Sequence, residues 1–459
     1  MVKSTYERLA LGLRGVKTER VVAVALYLAW VVVYLHSLDL HGRNFDYENF
    51  LFDADGPRIV KVLTVPGAAF SSHRHPLYVA MLQPLGLALD AILVHPIRAA
   101  LGVTAALAAL GSPLAFVVLR RSAGGLLDGL LWAILFSGSS CIWLFASMPE
   151  TFAINVTTIV LGYVLQLTPE GPAPAPGRFR RKFAIHVLYG TLATGITLTN
   201  SVYAFISFCS LAWKHRQPGK WLRFLFSTGL YVVCVTAFLA ALSKLQSLRY
   251  PDAHRFTAPS EFTGVVNEDE KFFVGGRMLS WLTLEARTFF AHSIIAPRAE
   301  MTEVLQYNPR LWPVPPRWQI VQFAPSPGWM FWACTGFALA FCIALGVRSK
   351  APSAPRARWG PEIAMSCAVI AFNLALHSFY RAIGAPLMYA THVVFPILFL
   401  LSVLYGRSAL PGKRALLLIL TVGVLGTNVR FLADVNGALR DADPSPFRVP
   451  YEGRVVGDG

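Results

Sequence analysis

The chain has 459 residues, of which 55% are hydrophobic and only 14% are charged. A soluble domain carries roughly 25% charged residues, so this chain has too little polar surface to cover a water-soluble body of its size. The formal net charge of +16 lies in short clusters between apolar runs, a pattern that favours loops facing anionic lipid over a nucleic-acid platform. The sequence therefore predicts an all-α polytopic membrane protein, with 1–459 forming one membrane-embedded domain.

The N-terminal residues 1–19 are mixed and basic, and no small-residue cleavage site follows them. They predict a cytoplasmic amphipathic segment that leads into a retained first span. Eleven apolar runs approach or exceed the length needed to cross a bilayer, at 20–37, 97–119, 125–146, 150–167, 183–198, 200–213, 222–244, 327–347, 362–380, 387–406 and 414–432. They predict about eleven transmembrane helices, and only the count across the short pair between 183 and 213 is left open.

Lysine and arginine concentrate in alternate connections between these runs. The basic connections are the N-terminal cluster and those at 120–121, 178–182, 214–220, 348–358 and 407–414. The positive-inside rule places them in the cytoplasm, in what we expect to be a bacterial inner membrane. Three segments are then predicted to lie outside: a first outer loop at 38–95, a second at 245–326 and the tail 433–459. Both loops are expected to carry juxtamembrane helices, and the apolar stretch 76–93 is expected to be re-entrant or to lie against the membrane.

The first outer loop is rich in acidic, basic and histidine side chains. A carboxylate just outside a membrane can act as a general base on a hydroxyl group. Neighbouring cations can stabilise a departing phosphate. The residues that suit these roles are Asp53, Asp55, Arg58, His73, Arg74 and His75. The alternative is a solvated loop whose charges only keep it hydrated.

The order of these features carries a resemblance to a known class of enzymes. A single span, the motif Asp53-Ala54-Asp55-Gly56-Pro57-Arg58 and a His75–Tyr78 entry into the membrane resemble the GT-C glycosyltransferases. Protein O-mannosyltransferases and aminoarabinose transferases are members, and the Asp-x-Pro-Arg signature is similar to that of a bacterial branch. The topology of most of the chain shares the resemblance, including the second long outer loop. The Asp-Glu pair of the mannosyltransferases is absent.

The resemblance implies a function for this first loop. A sugar would pass from a polyprenyl-phosphate carrier, which is the donor, to an unknown glycan, lipid or protein acceptor at the outer face. Asp55 would be the catalytic carboxylate, with Asp53 as the alternative, and Arg58 would contact the donor. His73, Arg74 and His75 suit contact with phosphate or sugar, or a purely interfacial role. His-x-His alone is weak evidence for a metal, so no metal site is predicted, and a divalent ion remains an open alternative.

Two later outer turns add candidates for substrate binding. Glu150 opens an apolar run, where it either lines a cavity or caps the helix. Around the late turn, the candidates are His377, Tyr380, Arg381, Tyr389 and His392. Arg381 would clamp a lipid-linked phosphate. The competing interpretation is an interfacial aromatic belt with an arginine that extends to the membrane surface.

Three other functions compete with the transferase. A transporter or lipid flippase would place charges in mid-span and build the chain from paired halves, and neither feature is evident. A membrane acyltransferase would use His377 with Asn373, four residues apart on one helix face. A scaffold without chemistry is the remaining option. All six cysteines lie inside apolar runs, which predicts neither disulfides nor a zinc site.

Overall fold

In the computed structural model the described residues are 2–40, 56–68, 75–167, 176–215, 221–251, 253, 286–305, 317–349, 359–379 and 386–441. Within them, seven helices are long and apolar enough to cross a membrane, or eight if one bent pair is a single span. This confirms the predicted class, an all-α polytopic membrane protein. The predicted segments 41–55 and 254–285 and the tail from 442 lie outside the described residues.

The helices follow the predicted runs closely. In chain order they are α1 (Val2–His36), α2 (Gly56–Thr64), α3 (Tyr78–Leu93), α4 (Pro96–Ala109), α5 (Gly111–Ala123), α6 (Leu126–Ser137), α7 (Ser140–Ala146), α8 (Phe152–Gln166), α9 (Pro176–Ile196), α10 (Asn200–His215), α11 (Trp221–Arg249), α12 (Trp329–Val347), α13 (Gly360–Phe379), α14 (Pro386–Arg407) and α15 (Lys413–Asp441). Each of the eleven apolar runs is covered by one of these helices or by a pair. Eleven transmembrane helices were predicted, whereas seven or eight meet the requirements of length and hydropathy. The difference is due to three helices: α8 and α10 have only 15 and 16 residues, and α9 begins in a basic cluster.

One predicted span is bent. The run 125–146 forms α6 and α7, which meet at 62°. At the break the carbonyl oxygen of Gly138 accepts a hydrogen bond from Asn428 Nδ2 at 2.7 Å. The N–H groups of Ser140 and Cys141, at the start of α7, donate to the carbonyl oxygens of Ile294 and Ser293 and not to the preceding turn of α6, so contacts from other segments hold the bend.

The two segments predicted to be outer loops contain regular structure of different kinds. In the first, α2 and α3 pack against each other and against α4. In the second, β1 (Ala299–Leu305) and β2 (Arg317–Phe323) form an antiparallel hairpin, which the sequence analysis did not predict. A π-helical turn at Thr288–His292 precedes the hairpin.

The helices differ in how much protein surrounds them. In α14, 78% of the most apolar stretch is buried, whereas the figure is 17% in α1, 11% in α11 and 17% in α12. A helix that is apolar on all sides is stable at the periphery only where lipid is the solvent. The helix α14 is therefore central, and α1, α11 and α12 present apolar surface outward.

Ion pairs join the basic connections at one end of the bundle, which we call the basic end. Arg120 pairs with Glu19, Lys214 Nζ lies 2.5 Å from Glu362 Oε1, and Arg414 Nε lies 2.8 Å from Asp128 Oδ1. These residues come from the ends of five different helices and from the α1 run, so the helix ends alternate as the charge pattern predicted. That this end faces the cytoplasm stays a prediction.

Candidate functional site

The twelve candidate site residues divide into two groups. Asp53, Asp55, His73, Arg74, Tyr380 and Arg381 lie outside the described residues. Arg58, His75, Glu150, His377, Tyr389 and His392 have described side chains. The geometry below therefore concerns the second group and the elements that flank the first.

The helix α2 begins directly after Asp55 and is buried. Gly56 and Pro57 in its first turn are buried, and Arg58 is partly buried. At its C-terminal end, Gln83 Nε2 lies 2.6, 3.0 and 2.9 Å from the carbonyl oxygens of three residues, Val62, Val65 and Ala68. These carbonyls belong to the last turn and the residues after it, where intrahelical partners run out. The chain that follows Asp55 is thus docked on α3 and does not project into solvent.

The His75 turn is fixed by two other helices. Nδ1 of His75 lies 2.8 Å from the carbonyl oxygen of Ile196 and 3.2 Å from Thr197 Oγ1. Gln246 Nε2 donates to the carbonyl of Pro76 at 2.8 Å, and its Oε1 accepts from the N–H of Ala80 at 3.1 Å. A ring nitrogen that meets a carbonyl oxygen carries the proton. His75 therefore connects the first outer loop to the α9–α10 turn.

Glu150 is buried at the start of α8, with only 2% of its surface exposed. Its Oε1 accepts hydrogen bonds from the N–H of Thr151 at 2.6 Å and from Thr151 Oγ1 at 3.0 Å. The Glu150 carboxylate is also near enough to act electrostatically on the buried Tyr78. Glu150 thus holds the N–H group just before α8, as the capping interpretation predicts, and its role in lining a substrate cavity stays a prediction.

The late candidates surround an aromatic cluster next to Glu150. The His377 and Tyr389 rings stack with centroids 3.9 Å apart. Phe152, two residues after Glu150, lies 5.7 Å from the ring of Tyr389 and 5.7 Å from that of His392. The ring of Tyr203 lies 5.3 Å from His392. Residues from α8, α10, α13 and α14 therefore meet at one place.

We call this assembly the outer polar cluster, because it lies opposite the basic end, at the end that is predicted to face outward. It comprises His75, Tyr78, Glu150, Phe152, Asn155, Asn200, Tyr203, Asn373, His377, Tyr389 and His392. It contains five of the six described candidates: Glu150, His377, Tyr389 and His392, and His75, whose ring lies against that of Tyr78. Arg58 is not a member of the cluster. It lies on α2, which packs against α3 and α4.

Several buried polar atoms of this cluster have no hydrogen-bond partner among the described residues. Both ring nitrogens of His392 are in this state, as are Asn155 Nδ2 and Asn200 Oδ1. Yet Asn200 Nδ2 does donate to Asn155 Oδ1, at 3.2 Å. A buried polar group without a partner costs roughly 1–3 kcal/mol. Such atoms are therefore expected to meet a ligand or water in the working protein.

Sequence reasoning did not select Tyr78 or Asn155 as candidate site residues. Asn155 lies in an apolar run, where a polar side chain must face a partner or a cavity. That signal was available, whereas the role of Tyr78 depends on its contact with Glu150 in another segment. The described residues contain no group of three or more His, Cys, Asp or Glu that could hold a metal ion.

The geometry does not favour a His–Asn acyltransferase dyad. Asn373 Oδ1 accepts from Tyr203 Oη at 2.8 Å, and Asn373 Nδ2 donates to the carbonyl of Val369 at 2.8 Å. Both polar atoms of Asn373 are therefore used within the bundle. His377 instead stacks on Tyr389, with 19° between the ring planes.

Comparison with known proteins gives a distant structural likeness. No protein-family model matches the chain, and no curated protein matches it. The crystal structure of ArnT from Cupriavidus metallidurans bound to undecaprenyl phosphate is 13% identical, with a TM-score of 0.49, and the match covers 91% of this chain and 75% of that one. The apo structure of the same protein gives a TM-score of 0.33 at 13% identity over 85% and 77% of the two chains.

Proposed function

We propose that this protein is a membrane glycosyltransferase that takes a sugar from a polyprenyl-phosphate carrier. The donor sugar would bind in the outer polar cluster, and the acceptor would approach from the outer face. The observation that carries this proposal is the buried His392, whose two ring nitrogens lack partners among the described residues and whose ring lies against Phe152 and Tyr203. Sugar hydroxyls and a phosphate ester supply the donors and acceptors that these atoms lack.

The chemistry assigns a role to the first outer loop. Asp55 would accept the proton of an acceptor hydroxyl as the hydroxyl oxygen attacks the anomeric carbon of the donor. The bond from the anomeric carbon to the phosphate oxygen would break, and the carrier would leave as a polyprenyl phosphate. Arg58 and Arg381 would stabilise the charge on the departing phosphate. The packing of α2 supports this role, because the helix that begins directly after Asp55 has a buried first turn and is held at its far end by Gln83.

The distribution of buried charge favours an enzyme over a transporter or flippase. Among the described residues, the buried carboxylates Asp128, Glu150 and Glu362 all lie within three residues of a helix start. An ion or substrate pathway through the bilayer would require ionisable groups at mid-depth. The described spans instead keep their charges at the two ends.

Binding of undecaprenyl phosphate to the purified protein in nanodiscs tests the proposal. We expect His392→Ala to weaken retention of this lipid by about tenfold, because a ring nitrogen that meets an ionised group makes a strong hydrogen bond. His186→Ala is the matched control. His186 is equally buried but lies at the basic end, where its ring nitrogens are near the Lys182 carbonyl and Gln166.

The result must distinguish loss of binding from loss of folding. Both variants should unfold at similar temperatures, whereas only His392→Ala should lose the lipid. Equal lipid retention by His392→Ala and the parent protein would contradict the proposed donor site. Retention that falls equally in both variants would also contradict it, since the effect would then be one of stability.

A further inference from the structure

A separate cleft opens at the outer end of α12 and α15. It has a volume of about 190 Å³ and is lined by Arg298, Gly328, Trp329, Phe331, Arg430 and Phe431 among others. The π-helical turn separates it from the outer polar cluster. Phe289 of that turn contacts His377 on one side, and His292 contacts Phe331 on the other, at 5.9 and 5.4 Å between ring centroids.

The charge of the cleft is positive. Its described lining contains two guanidinium groups and no carboxylate. Arg298 uses Nε to contact Asp434 Oδ2 at 3.3 Å, and the Arg298 side chain remains 51% exposed. Arg430 Nη1 lies 3.7 Å from the sulfur of Met330, which is a weak acceptor. One carboxylate therefore balances two arginines, and their other nitrogens can donate to an anion.

The first turn of α12 adds to this potential. Gly328, the N-cap, has φ +83° and supplies no side-chain cap. The opening amides of a helix lack intrahelical acceptors and carry partial positive charge. The cleft lies against these residues, so the helix terminus acts in the same direction as the two arginines.

The surface below the cleft is apolar and faces outward. Along α12, the side chains of Trp329, Trp332, Leu339, Ile343 and Val347 are all more than half exposed. Tryptophan is enriched at the level of lipid headgroups, and exposed aliphatic side chains are stable against lipid tails. A positive cleft at the start of such a helix, followed by apolar side chains along it, is complementary to a lipid that has an anionic headgroup and an apolar tail.

We infer that the Arg298–Arg430 cleft binds the phosphate headgroup of a membrane lipid whose apolar tail lies along α12. This site is distinct from the outer polar cluster, and the inference does not depend on sugar transfer. Its occupant could be a polyprenyl phosphate or an anionic phospholipid, since both present a phosphate on an apolar tail. The experiment below separates these sources.

The test counts lipids retained by the full-length protein in native mass spectrometry. The probes are undecaprenyl phosphate, dioleoyl phosphatidylglycerol, dioleoyl phosphatidylcholine and inorganic phosphate. We expect the double variant Arg298→Gln, Arg430→Gln to bind the anionic lipids at least about tenfold more weakly, since each arginine contributes charge-assisted hydrogen bonds. Arg249→Gln is the matched control, because Arg249 is exposed at the same end of the bundle, on α11.

The outcomes decide between the sources and can overturn the site. If the protein retains undecaprenyl phosphate in preference to phosphatidylglycerol, the site is supported and its occupant is the carrier. If both lipids are retained equally, the site is supported as one for anionic lipids in general. Equal loss in Arg249→Gln, or no loss in the double variant, would overturn it. Equal binding of phosphatidylcholine or inorganic phosphate would exclude an anionic lipid.

Folding of the variants is controlled separately. Arg430→Gln alone leaves the Arg298–Asp434 ion pair intact, so it removes positive charge without leaving a carboxylate unpaired. This single variant should weaken lipid retention by several-fold at an unchanged unfolding temperature. Because native mass spectrometry counts bound lipids, His392→Ala should lose the lipid of the proposed donor site and keep the one at this cleft, whereas the double arginine variant should do the reverse. Failure of the proposed donor site and failure of this inference are therefore distinguishable.

Discussion

The two ends of the helical bundle contain similar kinds of polar residue but satisfy them differently. At the basic end, Lys214 meets Glu362, Arg414 meets Asp128, and Lys413 Nζ donates to the carbonyl of Tyr405 at 2.7 Å. At the outer end, both ring nitrogens of His392 lack partners within the described chain. At the basic end the atoms without a partner, Glu362 Oε2 and Gln166 Oε1, belong to side chains whose other polar atom is paired. A buried polar group that is left unsatisfied destabilises the fold unless a ligand compensates. The contrast therefore supports the proposed donor site at the outer end and a mainly structural role for the ion pairs of the basic end.

The largest effect should come from the first outer loop. Asp55→Asn should reduce sugar transfer by roughly 10²–10⁴-fold, because an amide cannot accept the acceptor's proton. The measurement is release of polyprenyl phosphate from the purified enzyme with its donor. Asp46→Asn, in the same loop, serves as the control and should retain activity. If Asp55→Asn released polyprenyl phosphate at the rate of the parent enzyme and Asp53→Asn did not, Asp53 would be the catalytic residue.

Substitutions at the basic end should change the stability of the protein and not the rate of sugar transfer. Lys214→Met leaves the Glu362 carboxylate buried without its cation, which should lower the free energy of unfolding by about 3–5 kcal/mol. The double variant Lys214→Met, Glu362→Met should recover most of this loss. Chemical denaturation of the detergent-solubilised protein measures both. If Lys214→Met were as stable as the parent protein, the Lys214–Glu362 pair would contribute little to the stability of the basic end.

The charge pattern explains why the basic end was predictable. Arg120, Lys214 and Arg414 stand in short connections between apolar runs, and their placement depends only on local composition. The partners Glu19, Asp128 and Glu362 lie at the starts of the neighbouring runs. The sequence therefore predicted the helix order and the alternation of ends without knowledge of any tertiary contact.

The outer end was only partly predictable, because its geometry depends on distant segments. Glu150 and His392 were found as polar residues at the edges of apolar runs, but Phe152 and Tyr203 bring them together. The bend between α6 and α7 depends on Asn428, some 290 positions from Gly138. The hairpin of β1 and β2 lies in a segment of mixed composition that gave no clear alternation.

A smaller effect should follow from releasing α2. Gln83→Leu removes an amide nitrogen that lies near three carbonyl oxygens at and just after the end of α2. Its two N–H groups make two hydrogen bonds at a time, each worth about 1 kcal/mol, so the protein should lose about 2 kcal/mol of stability. Transfer should also fall, since the chain after Asp55 would no longer be fixed. Gln246→Leu is the matched control, which removes the contacts to Pro76 and Ala80 instead. Unchanged transfer in Gln83→Leu would separate α2 from the catalytic loop.

The smallest effect is expected at the partly exposed Glu19–Arg120 pair, which tests whether the ion pairs of the basic end are shielded from water. The Glu19–Arg120 pair is about one-third exposed on both sides, so water and salt screen it, and Glu19→Gln should cost less than about 1 kcal/mol. Raising the ionic strength should reduce even this difference, whereas the buried Lys214–Glu362 pair should be insensitive to salt. Equal salt dependence of the two pairs would mean that water enters the basic end. Its polar groups would then be satisfied by solvent, and the outer polar cluster would lose the distinction on which its functional assignment depends.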